Sequence, residues 1–142
     1  MKPQNSVAQA TILQLLEQTN FNNLAGERIS RDLRNHEALW RSAYLTSASI
    51  ERNDQGTWAF GRARHDFISL RDLPAGSLHL DTLLLLPVVG EQDALMRLAS
   101  TWGADIAQWI DIAEAGRVMG GKRSVMEYSS DPSRVILYLW WD

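Results

Sequence analysis

The run from Leu80 to Ile110 limits what this chain can fold into more than any other segment. Leu80–Leu86 is a short, nearly continuous apolar stretch of strand length, and Glu91–Trp102 carries apolar residues at helical spacing. Gly103 supplies a stop, and Asp105–Ile110 returns to extended character. Strand, helix and strand in such close succession require a sheet with a helix laid on one face. Leu83-Leu84-Leu85-Leu86 presents apolar side chains to both faces, as a central strand covered on both sides does, and Pro87 ends it. Glu91 and Asp93 put negative charge in the first helical turn, where the macrodipole favours it. Leu95, Leu98 and Trp102 form the buried stripe, and Gly103 suits the left-handed position just past the helix.

The segments on either side complete the picture. Ser6 and Gln9 make a capping-box pattern ahead of Ile12, Leu15 and Leu16, which predicts a helix over Val7–Gln18. A second helical stretch is expected from Ala25 towards Leu45, with a break near Asn35. On it Ile29, Leu33, Trp40 and Tyr44 fall within about 60° of one another at ~100° per residue. Arg31, Arg34 and Arg41 lie on the other side, either as a solvated back or as an arginine face for an anionic partner.

Asn53-Asp54-Gln55-Gly56 is a hairpin turn signal between Tyr44–Arg52 and Thr57–Leu70. The first arm is expected to start helical and to become extended after Thr46, since Thr46-Ser47-Ala48-Ser49 has little helix propensity. Pro74-Ala75-Gly76 then turns the chain into Leu78–Leu86. Towards the end, Ile112–Met119 reads as a short helix, Gly120–Arg123 as a loop, and Arg134–Trp141 as a strand apolar on both faces.

These readings predict a single α+β domain over residues 1–142: N-terminal helices, then a mostly antiparallel sheet of about five strands with one β-α-β crossover. Leu83, Leu85, Leu95, Leu98, Val135, Leu137 and Leu139 are its expected core. The crossover helix should cover one side of the sheet, leaving the other to the N-terminal helices or to an exposed apolar patch.

Composition removes several function classes. A length of 142 residues suits one domain with its own core. The net charge of −3 speaks against general nucleic-acid binding, which needs a basic surface. With no cysteine there is no disulfide, thiolate zinc site, iron–sulfur cluster or cysteine nucleophile. Met1-Lys2-Pro3-Gln4-Asn5 leads into an amphipathic segment, not a signal sequence, and no apolar run approaches the ~20 residues that span a bilayer. A soluble cytoplasmic protein with no membrane partner is expected.

His65 and His79 would sit on the order of 15 Å apart along a hairpin centred at Pro74-Ala75, at ~3.3 Å per residue. No metal and no cofactor are therefore expected. Gly116 to Arg123 nearly matches a phosphate-binding loop, but Arg123 stands where the magnesium-binding hydroxyl is needed. No serine lies in a G-x-S-x-G elbow, and no catalytic residue is identified.

Two groups of residues remain as binding candidates. The chain holds six tryptophans, and the adjacent pair Trp140 and Trp141 must point to opposite faces of a strand. Arg62, Arg64 and Asp66 share one strand face at two-residue spacing, where arginine forks can take an anion or carboxylate. The first group favours a non-enzymatic interaction or regulatory module. Such a module would bind a protein partner or self-associate, for example as a toxin-neutralising immunity protein does. The second favours a small-molecule-binding domain or small enzyme, its pocket lined by Arg62, Arg64, Asp66 and Asp81 and holding a small anionic ligand.

Overall fold

A computed structural model describes residues 7–19, 23–52, 58–64, 80–118 and 134–142. The helices are α1 (Val7–Glu17), α2 (Gly26–Asn35), α3 (Gln92–Ala99), extended by a 3-10 turn at Ser100–Trp102, and α4 (Ile112–Val118). The strands are β1 (Trp40–Arg52), β2 (Trp58–Arg64), β3 (Thr82–Pro87), β4 (Ile106–Asp111) and β5 (Val135–Trp140). The fold is α+β with an antiparallel sheet in the order β2-β1-β3-β5-β4. Long β1 serves two ladders, pairing with β3 over Trp40–Thr46 and with β2 over Ser47–Arg52.

The expected crossover takes a different form. Helix α3 does carry the chain from β3 to β4, and Gly103 adopts the left-handed conformation (φ 69°) that ends it. Those two strands are not neighbours, however, because β5 lies between them and pairs with both. The physical reason is burial: Ile136, Leu137, Tyr138 and Leu139 are all fully buried, and only a central position covers both faces of such a strand.

The second helix also ends sooner than its periodicity suggests. Residues 36–39 form a turn, and Trp40 opens β1 instead of continuing the helix. Trp40 still packs with Ile29 and Leu33, because a register shift between Trp40 and Ser42 turns it to the helical side. Its indole N–H donates at 2.8 Å to the Leu33 carbonyl, which also accepts the His36 N–H at 3.3 Å in the last turn of α2. What looked like the next turn of an apolar stripe is a strand residue hydrogen-bonded to the helix's end. Tyr44 likewise belongs to β1, opposite Leu84.

Two clusters divide the core by sheet face. Leu83, Leu85, Leu137, Leu139 and Trp141 pack with Leu13 and Leu16 of α1, Ile29 and Leu33 of α2, and Leu95 and Ala99 of α3. The N-terminal helices and α3 therefore share one face. The opposite face is covered by α4, whose Ile112 and Ala115 meet Leu84, Leu86, Ile136 and Tyr138. Of the expected core, Leu98 is only partly buried against the first cluster, and Val135 is half-buried at the start of β5.

The first two helices meet at Gly26. Its N–H donates to the Thr19 carbonyl at 3.0 Å, and a Cβ there would overlap the carbonyl oxygens of Leu16 and Thr19. Only glycine permits that approach.

Candidate functional site

The sequence candidates are partly gathered by the sheet. Arg62 and Arg64 lie on β2, while Asp66, together with His65 and His79, lies outside the described residues, as do the 53–56 turn and the 120–123 loop. Arg64 is opposite Ser47, and Thr46 is opposite Thr82. Continuing that register by one residue brings Ser47 opposite Asp81, whose carbonyl accepts the Trp141 N–H at 3.1 Å. Arg64, Asp81 and Trp141 thus fall in one backbone row. Arg64 and Asp81 are two strand spacings apart there, about 10 Å at ~4.8 Å each.

Asp81, expected as part of a pocket lining, is a buried group. It is 9% exposed and accepts a hydrogen bond from the Thr82 hydroxyl at 2.8 Å. Tyr138 of β5 belongs to the same polar cluster. Burial raises its phenol well above the ordinary range, and the Asp81 charge adds to that shift, while Thr82 and Arg117 oppose it. A phenol so placed keeps its proton; it is no base near neutral pH. Arg117, on α4, forks onto Glu114 at 2.5 and 3.1 Å, and that hydrogen bond raises the guanidinium further. Among the described residues, no three His, Asp or Glu side chains come together as a metal site.

Trp40, Trp102 and Trp141 are core residues. Trp102 donates its indole N–H to the Asp32 carboxylate at 3.0 Å, and Trp141 donates to the Trp102 carbonyl at 3.2 Å. Trp141 is fully enclosed on the helical face, so its ring has no surface to offer a partner. Trp140 is half-buried against the second cluster. The arginine face is also engaged internally: Arg28 and Arg31 flank Asp32 at 3.8 and 3.9 Å, and Arg34 pairs with Glu17. Arg41 is exposed on β1, away from that helix.

A different feature stands open. Strand β4 has a hydrogen-bonded neighbour on one side, β5, and none on the other among the described residues. Ala107 and Gln108 are exposed, Ile106 and Trp109 are half-buried against the two clusters, and Ile110 is buried. The Trp141 N–H points to β3, so the alternating β5 groups that point to β4 belong to Ile136, Tyr138 and Trp140. Their partners on β4 are Ile110, Gln108 and Ile106. By the same alternation, the N–H and C=O groups of Ala107 and Trp109 face outward. Asp105 and Asp111 bracket this row, and both are exposed. The sequence signal was present in the small and polar pair Ala107-Gln108, set within an otherwise apolar strand.

Neither the models of known protein families, nor curated proteins, nor solved structures match this chain. Among the described residues no helix is long and apolar enough to cross a membrane.

Proposed function

We propose that this chain is a single-domain, non-enzymatic interaction module that binds a protein partner through its sheet. The observation that carries this reading is the β4 edge, which no strand among the described residues pairs, with outward backbone groups at Ala107 and Trp109 and exposed side chains beside them. Unpaired edges are ready templates for another chain, and natural folds normally blunt them. The aromatic pair Trp140 and Trp141 no longer supports the reading, since one is enclosed and the other packs inward.

In the same reading the sheet counts five strands. Its α3 connection is a split β-α-β, with β3 and β4 running parallel on either side of β5. Absence of cysteine suits work in the cytoplasm.

Native lysate passed over the immobilised chain should yield a stoichiometric companion, competed away by free chain and cross-linked to it. A chain that captures no such companion and stays alone in light scattering overturns the interaction reading.

A second reading, a site for a small anion, rests on Arg64 alone, since the Asp81 carboxylate in the same backbone row would repel an anion. Under that reading phosphate or a small carboxylate raises the melting temperature, and Arg64→Ala removes the rise.

A further inference from the structure

We propose that the β4 edge receives an extended peptide segment of another protein, added as a further strand, with a basic residue at each end. This rests on the interaction reading above and names the chemistry of the partner. Between Asp105 and Asp111 the edge reads Ile-Ala-Gln-Trp-Ile, with no lysine, arginine or proline to repel an incoming strand. The outward groups of Ala107 and Trp109 offer two donors and two acceptors, enough to seat a short strand. Trp109 stands half-buried beside that row, where cross-strand packing with a β-branched side chain is favourable.

Charge selects the occupant. Asp105 and Asp111 are six residues apart on the strand, roughly 20 Å at ~3.3 Å per residue. Each uses one carboxylate oxygen on nearby backbone: Asp105 accepts the Asp142 N–H, and Asp111 accepts the Glu114 N–H. Both remain exposed.

A second copy of this chain fits poorly. The antiparallel register that uses every outward group sets Ala107 against Trp109, and it then places Asp105 opposite Asp111 at both ends. Like charges directly opposite one another destabilise a strand pair. A segment with lysine or arginine at those two places turns both repulsions into attractions. Residues at the first and seventh positions of the incoming strand meet the two aspartates, and the third and fifth lie beside Trp109 and Ala107.

The test uses the full chain and two capped heptapeptides, Lys-Thr-Val-Thr-Val-Thr-Lys and its counterpart with glutamate at both ends. The lysine-ended peptide should bind about ten-fold or more tighter in fluorescence anisotropy, since two opposed charge pairs change sign. Salt should narrow that gap. In hydrogen exchange the Ala107 and Trp109 amides should gain protection with the peptide bound.

Ala107→Pro removes an outward donor and should abolish binding. Ala107→Lys, at an exposed position, should weaken it while leaving the fold intact even if the proline variant does not fold. Equal binding of the two peptides, no binding, or binding without protection at those amides overturns the proposal. A concentration-dependent dimer of the free chain that Ala107→Lys dissolves overturns it too, in favour of a second copy. A companion from lysate captured equally by wild type and Ala107→Lys keeps the interaction reading and removes the edge from it.

Discussion

Strands β4 and β5 are neighbours of equal length, six residues each, paired along their whole extent, yet they behave as opposites. In β5 the four inner residues Ile136 to Leu139 are fully buried, whereas in β4 only Ile110 is. Their sequences explain why. Val-Ile-Leu-Tyr-Leu-Trp has apolar groups for both faces, while Ile-Ala-Gln-Trp-Ile-Asp interrupts its pattern with a small and a polar residue. Position in the sheet follows from what a strand can bury, not from where it falls in the chain. That is how the last of the strands in sequence comes to lie inside one that precedes it.

The contrast can be broken most forcefully at the tryptophans. Trp141→Ala should cost about 3–5 kcal/mol, the range for a buried aromatic truncated in a core. Trp109→Ala, half-buried on β4, should cost less than about 2 kcal/mol. Urea denaturation of both variants checks this, and comparable losses would mean that β4 is as enclosed as β5.

One step smaller is the aliphatic test. Leu137→Ala should lose about 2–5 kcal/mol, and Gln108→Ala on the neighbouring strand should stay within about 0.5 kcal/mol of wild type. On the helical side Leu95→Ala should exceed Leu98→Ala, because Leu95 is fully buried and Leu98 is not.

Tyr138 adds a pH dependence particular to β5. Its folded phenol titrates above the ordinary value of 10.0, so its contribution to stability is fully present below that pH. Above it the unfolded phenol ionises first, and stability falls by up to about 1.4 kcal/mol per pH unit until the folded phenol ionises as well. Tyr138→Phe should flatten that alkaline decline in melting curves taken between neutral and strongly alkaline pH.

The smallest effect sits where β4 meets α4. Asp111 Oδ1 accepts the Glu114 N–H at 2.7 Å and so caps the helix. Asp111→Ala should cost about 1 kcal/mol, and Asp111→Asn should retain most of the cap. Equal losses in the two variants would show that charge, not the hydrogen bond, is what matters there.

Much of the local structure was legible in the sequence. Residues 80–111 read correctly as strand, helix, glycine stop and strand because their periodicity and caps agree with one another. The second helix was over-extended because Trp40 and Tyr44 happen to continue the phase of Ile29 and Leu33. Nothing local shows that Trp40 turns back to hydrogen-bond the end of the helix that it seemed to prolong.

The order of strands was hidden for a deeper reason. Register depends on partners far away in the chain, so neither the insertion of β5 nor the exposure of β4 can be read from either segment alone. The site was legible to the same degree. Asp81 stood out as a carboxylate, but its burial beside Thr82 and Tyr138 depends on pairings across three segments.

The insertion of β5 between β3 and β4 also bears on how the chain is made. During synthesis β3, α3 and β4 emerge before residue 134, with the slot between the two strands unfilled. Until β5 arrives, the inner edge of β3 is open and strongly apolar, the kind of surface on which nascent chains stick to one another. The sheet can close only once residues 135–140 have been made. A polypeptide released before β5 is a natural client for chaperones and proteases.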